Sequence, residues 1–218
     1  MPAATPTRSL AFPTVTRPGV GTIEINPHFT GAAARQAEVG EALLGQWERE
    51  PLPEGFVSWS VFASTDGEAL LAYGQWVNDE SRRRCGVRRP ETEGVWAAEP
   101  VYYRVYRSLD GSDGSEEPGC LITATFDTDG PERQRYFVDA LIAAQPSDAR
   151  TPGALGAHFH LSTDGTRVLL YSLWTSQRAH AEAAEAGAHD SGHGIFTETP
   201  GVRPTYGRCY SLLGSLVR

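Results

Sequence analysis

The chain has 218 residues, 40% of them hydrophobic, and carries 19 basic against 27 acidic residues for a net charge of −8. That balance argues against nucleic acid as a partner, since a basic face supplies most of the affinity there. Every basic residue is Arg, so Schiff-base, pyridoxal-phosphate and Walker-lysine chemistry are excluded.

No apolar run approaches the roughly 18–20 residues of a membrane span, so no membrane partner is expected. Residues 1–18, rich in Pro, read as an N-terminal arm without the apolar core of a signal peptide, which makes the cytoplasm the expected address. VGTIEI (20–25) then reads as a strand. Residues 30–50 follow as a helix with Thr30 as N-cap, with Ala33, Ala37, Gly40, Leu44 and Trp47 at helical spacing. SVFASTDGEALLAYGQW (60–76) reads as a hairpin, NDESRRRC (78–85) as a short capped helix and YYRVYRSL (102–109) as an aromatic strand.

Residues 110–118 lack apolar side chains and read as a linker. The order then repeats. CLITATF (120–126) is a strand and 129–144 a helix with Pro131 at its first position. HFHLSTDGTRVLLYSLW (158–174) is a hairpin, 175–186 a helix and GRCYSLLGSL (207–216) a strand. The hairpins align without a gap at an offset of 98 and share Ser-Thr-Asp-Gly, Leu, Tyr and a closing Trp.

Each half therefore has the β-α-β-β-α-β order of a ferredoxin-like unit. VLLYSLW (168–174) is apolar at nearly every position, so both faces of that strand should be buried. Two sheets packed face to face provide such burial. The expected fold is α+β: two fused ferredoxin-like units, 19–109 and 119–218, forming an intramolecular dimeric α+β barrel, as a monomer or a homodimer.

The phrases AHFHLSTDGTRVLLYSLWTSQRAHAEA and PGVRPTYGRCYSLLGSL resemble the antibiotic biosynthesis monooxygenase (ABM) family, in the tandem-domain form found in actinobacteria. The resemblance covers roughly residues 18–218. It implies a ligand cavity between each sheet and its own helices. The superfamily includes quinone-forming oxygenases that act on polyketide anthrones without metal or flavin, as well as polyketide cyclases and haem-degrading enzymes.

Several residues carry candidate chemistry. His158 and His160 lie two apart on a strand and share a face, where the first half has Ser60 and Phe62. They read as a hydrogen-bonded pair, as a general base or as metal ligands. Tyr73 with Trp76, and Tyr171 with Trp174, are three apart and point to opposite faces. They read as core, or as an aromatic wall for a flat polycyclic substrate. Trp59 stands where the second half has Ala157, making one cavity more aromatic. His28 and Asn78 are further candidates for orienting a hydroxyl or acting as a base. His189 and His193 fall in HDSGH, which reads as a Gly-rich loop and a candidate lid. RRRCGVRR (82–89) reads as a solvated basic face or an attractor of phenolates. Cys85, Cys120 and Cys209 form no disulfide framework and no metal pair, and read as free thiols.

No metal, nucleotide or nucleophile motif is present. The expected function is a tailoring oxygenase that oxidises a phenol- or anthrone-like polycycle with O₂ and no tightly bound cofactor, with reduced flavin borrowed from outside as a variant. A polyketide cyclase and a non-catalytic ligand-binding or accessory protein remain the alternatives.

Overall fold

The computed structural model describes residues 6–48, 52–86, 95–111, 116–145, 151–188 and 190–218. The chain divides into two compact units, residues 1–103 with 210–218 and residues 104–209. The boundaries fall after Tyr103 and after Cys209.

In the first unit the arm contributes β1 (Thr7–Ser9), and β2 runs over Thr22–Phe29. β2 outlasts its apolar start. Pro27 withdraws one N–H from the ladder, yet its carbonyl still accepts from Ala98 N at 3.0 Å. α1 (Ala33–Glu48) begins three residues beyond Thr30. Gly31 takes a left-handed φ of 71° there, and the Thr30 hydroxyl donates to Glu68 O at 3.1 Å instead of capping the helix. β3 (Phe56–Ser64), β4 (Ala69–Trp76), α2 (Asp79–Cys85), β5 (Trp96–Ala97) and the start of β6 (Val101–Asp110) follow. The sheet order is β6-β2-β4-β3, a ferredoxin-like order. The chain's last strand, β10 (Val202–Val217), adds Tyr210–Val217 antiparallel to β3, and β1 pairs with that segment.

α1 lays Val39, Leu43, Leu44 and Trp47 on one face of this sheet, against Trp59, Val61, Leu70, Ala72 and Trp76. The arm lies on the opposite face. Phe12 packs on Phe62 with ring centroids 5.7 Å apart, and Gln75 Nε2 donates to Thr14 O at 2.9 Å. All eight residues of β4 are buried, so both of its faces are covered.

The second unit repeats the order with β7 (Cys120–Thr128), α3 (Pro131–Ala143), β8 (Ala154–Ser162), β9 (Arg167–Trp174), α4 (Gln177–Glu185) and the first part of β10. The later part of β6 pairs with β8, and β10 pairs with β7. α3 packs Phe137, Val138 and Leu141 on Phe126, Phe159, Leu161 and Val168. One expectation fails here: residues 190–193 of HDSGH belong to α5 (Asp190–Glu198), not to a loop. Glycine in a helix costs only about 1 kcal/mol per residue, and the packing of Ile195 against the α3 core offsets it.

The repeated Ser-Thr-Asp-Gly closes each hairpin and ties it to a helix. Ser64 Oγ donates to Asp66 Oδ1 at 2.6 Å, and Gly67 takes φ 82°. Gln36 on α1 donates to Ser64 O and Ala69 O at 3.0 and 2.7 Å. The second unit repeats the arrangement: Ser162 on Asp164 at 2.6 Å, and Gln134 on Ser162 O and Arg167 O at 3.2 and 2.7 Å. The described helices include none long and apolar enough to cross a membrane.

Candidate functional site

The two units differ on the helix-covered face of their first strand. In β2 that face carries Thr22, Glu24, Asn26 and His28, all of them buried. The equivalent positions of β7 are Cys120, Ile122, Ala124 and Phe126, and the registers with β4 and β9 confirm the match: Thr22 lies opposite Trp76, and Cys120 opposite Trp174. Burying four polar side chains in a row costs free energy unless each finds a partner, so each has to be accounted for.

Three are. Thr22 Oγ1 donates to Asp79 Oδ1 at 2.6 Å. Glu24 receives Nε and Nη2 of Arg82 in a bidentate, fully buried pair. The guanidinium lies between the rings of Trp76 and Tyr102, 5.3 and 5.7 Å from their centroids. Burial opposes its charge, but the Glu24 contacts outweigh this and hold Arg82 above its ordinary range. Arg82 is therefore no part of a solvated basic face, and residues 87–89 of that run lie outside the described residues. With its nitrogen turned toward Ala98, the Asn26 amide donates to Ala98 O at 2.9 Å.

His28 is the fourth. It is 1% exposed, and neither ring nitrogen meets a hydrogen-bond partner among the described residues. Burial lowers its pKa to about 4, so the ring is neutral at pH 7, with one unused donor and one unused acceptor.

Further along the same face stands an aromatic cluster. Trp47 lies 5.0, 5.1 and 5.7 Å from Phe56, Trp59 and Trp76, centroid to centroid. The indole N–H groups of Trp59 and Trp76 are buried without an acceptor among the described residues. The second unit explains why. There Trp174 Nε1 donates to Ser172 Oγ at 2.9 Å. Gly74 occupies the position of Ser172, and a Cβ added to it would stand 2.7 Å from Trp59 Cε3 and 3.2 Å from Trp76 Nε1. Trp59 has displaced the hydroxyl that would satisfy Trp76, and Ala157 replaces Trp59 in the second unit.

The remaining candidates lie elsewhere. His158 and His160 point to the face of β8 opposite the one that Phe159 and Leu161 turn to α3. They are therefore not between the sheet and α3. His158 Nδ1 lies 2.9 Å from Ser108 Oγ, and His160 Nδ1 lies 3.1 Å from His158 O. Burial lowers both pKa values, His160 to about 3 with help from His158, and Asp110 partly opposes the fall at His158. Tyr171 lies on the same face, 6.2 and 5.9 Å from the two imidazoles. Tyr73, buried on the face away from α1, has its phenol pushed far above the ordinary range by burial. Trp174 meets His180 edge-on at 4.9 Å.

Asn78 caps α2, accepting from Ser81 N at 2.8 Å. It lines a surface cavity of about 490 Å³ with Arg17, Phe56, Ser81 and Arg218. That cavity lies at the Thr22 end of β2, about 20 Å from His28 by strand rise, so Asn78 and His28 do not share a site. The His193 side chain, like the whole of His189, lies outside the described residues.

No protein-family model and no curated protein matches the sequence. Solved structures do match the fold. An anthrone oxidase-like protein superposes with a TM-score of 0.65 at 19% identity, covering 89% of this chain and 92% of that one. A ferredoxin-fold protein of Listeria monocytogenes, related to antibiotic biosynthesis monooxygenases, gives 0.51 at 12% identity, covering 88% and 94%. At these identities the likeness establishes an α+β, ferredoxin-like fold.

Proposed function

We propose that the protein is a tailoring oxygenase that oxidises a phenol- or anthrone-like polycyclic substrate with O₂, and that its site lies on the helix-covered face of the first unit's sheet. The two units are taken as fused halves of a dimeric α+β barrel, with only one half active. The observation that carries this reading is the row of buried polar atoms at His28, Trp59 and Trp76 that meet no partner among the described residues, where the second unit has Phe126, Ala157 and an internally satisfied Trp174.

Neutral His28 serves as the base. It takes a proton from the activated C–H or phenol of the substrate, and the imidazolium then pairs with the anion it has created in surroundings of low dielectric. The anion reduces O₂ by one electron, radical recombination gives a peroxide, and loss of water leaves the quinone. The protein's contribution is a base, a dry aromatic wall and orientation. The indole N–H groups of Trp59 and Trp76 supply donors to substrate oxygen, and Asn26 borders His28 on the same strand face. Glu24 to His28 spans about 13 Å of strand, a distance that a fused polycycle can bridge. His158 and His160 are assigned no proton transfer here, since each already has a ring nitrogen in a hydrogen bond and both face away from α3.

The test is O₂ uptake by metal-free protein with a panel of anthrones and dihydroxynaphthalenes. Uptake should fall at least about 100-fold in His28→Phe, which installs the second unit's residue, and persist in the His158→Ala/His160→Ala variant. Absence of uptake by the wild type, or full uptake by His28→Phe, overturns the assignment. Product formed equally without O₂ identifies a cyclase instead.

A further inference from the structure

The second unit holds a thiol pair that the proposed chemistry does not use. Cys120 opens β7 and Cys209 lies on the neighbouring strand β10. Cys209 packs against the small cluster that Cys120 forms with Trp174 and Ala183, on a strand paired with β7. Thr22 occupies the position of Cys120 in the first unit, so the repeat does not demand a thiol there. Cys85, the third cysteine, sits at the end of α2 in the other unit.

We propose that Cys120 and Cys209 are a modification site, a dithiol that hydroperoxides convert reversibly into a cross-strand disulfide. The inference is independent of the oxygenase reading. Two exposures set the order of events: Cys120 is 3% exposed, whereas Cys209 is half-buried, so the peroxide is assigned to Cys209 first. The Cys209 thiolate attacks one peroxide oxygen, the O–O bond breaks, and Cys209 becomes a sulfenic acid as hydroxide or alkoxide departs. Cys120 then attacks the sulfenic sulfur through its thiolate. The S–S bond forms, hydroxide leaves, and the proton from Cys120 makes it water. Two thiols are oxidised by two electrons while one peroxide is reduced.

Burial, reinforced by the adjacent Cys209, pushes the Cys120 thiol up to about 12. The closing step is therefore slow at neutral pH and should accelerate about ten-fold for each pH unit below that value.

The experiment treats the full chain with hydrogen peroxide and follows intact mass, titratable thiols and the disulfide-linked peptides. Wild type and Cys85→Ser should lose two hydrogens in mass and two thiols, yield a Cys120–Cys209 linked peptide, and recover fully with dithiothreitol. Closing so long a loop should also raise the melting temperature by several degrees in the oxidised form. Cys120→Ser should show no such rise and should instead carry added oxygen on Cys209. Three unchanged thiols, a sulfinic Cys209 in the wild type, or a linkage through Cys85 overturns the inference. Folding of the variants is checked by circular dichroism. If a Ser variant fails to fold, the wild-type peptide map alone decides.

Discussion

Trp174 and Ser172 form a hydrogen bond of 2.9 Å that their counterparts Trp76 and Gly74 cannot make. The missing hydroxyl and the added indole of Trp59 belong together, because the Gly74 Cα is where the Trp59 ring rests. Gly74→Ser alone should destabilise the protein by about 1–3 kcal/mol through overpacking. Trp59→Ala alone should cost about 3–5 kcal/mol as a cavity. The pair Trp59→Ala/Gly74→Ser recreates the second unit's arrangement, and its cost should fall short of the sum by about 1–3 kcal/mol. A denaturant double-mutant cycle measures this, and strict additivity would separate the two positions. In the same double variant, O₂ uptake with the anthrone panel should be lost.

Glu24 and Arg82 are a buried charge pair with little stabilising value of its own, but each becomes costly when alone. Glu24→Ala or Arg82→Ala should lower stability by about 3–5 kcal/mol. Glu24→Ile, which copies Ile122, combined with Arg82→Met should recover much of that loss. Urea melts of the single and double variants would show it.

Acid should unfold the protein through its histidines. In the folded state His28 binds its proton only near pH 4 and His160 only near pH 3, whereas the unfolded chain binds both near 6.5. Unfolding therefore takes up protons between those values. The stability present above pH 6.5 is lost as pH falls through the folded pKa values, at about 1.4 kcal/mol per pH unit for each histidine. His28→Phe should remove about 3 kcal/mol of this dependence, the His28 share between pH 6.5 and about 4. Equilibrium unfolding at a series of pH values gives the slope, and an unchanged slope in His28→Phe would contradict the buried, uncharged assignment.

Gln36 and Gln134 should matter equally, since each holds its own hairpin by the same bonds. Gln36→Ala and Gln134→Ala should each cost about 1–3 kcal/mol by leaving buried carbonyls unpaired. Hydrogen exchange should rise at Ala69 N and Arg167 N respectively, the amides that Ser64 Oγ and Ser162 Oγ hold at 2.9 and 2.8 Å.

The repeat made most of the fold readable in the sequence. The shared hairpin, the apolar strand at 168–174 and the capped start of the helix at 78–85 make the element order legible, because turn chemistry and period-two patterning act locally. The candidate site was harder to read. The strand expected over 20–25 stops where its apolar residues stop, and the sequence assigns no element to Asn26, Pro27 and His28. A buried strand face made of Glu, Asn and His inverts the usual pattern, and only the register against Leu70, Ala72 and Gly74 reveals it. A retrievable signal existed: extending the offset of 98 by a few residues sets Glu24, Asn26 and His28 against Ile122, Ala124 and Phe126. Arg82 was misread for a related reason, since a run of arginines says nothing about which one turns inward to a carboxylate. Helix α5 was missed because its glycines lower local propensity while contacts distant in sequence hold it.

The placement of Tyr210–Val217 beside β3 bears on how this chain can be divided. Cutting at residue 109, the natural reading of a tandem repeat, would take from the first unit a strand that its own half of the sequence does not encode. β3 would then expose a full row of ladder donors and acceptors next to Trp59 and Phe62. Such a fragment would recruit a strand from a second copy or precipitate. Adding a peptide spanning 202–218 in trans should restore it, as fragment complementation.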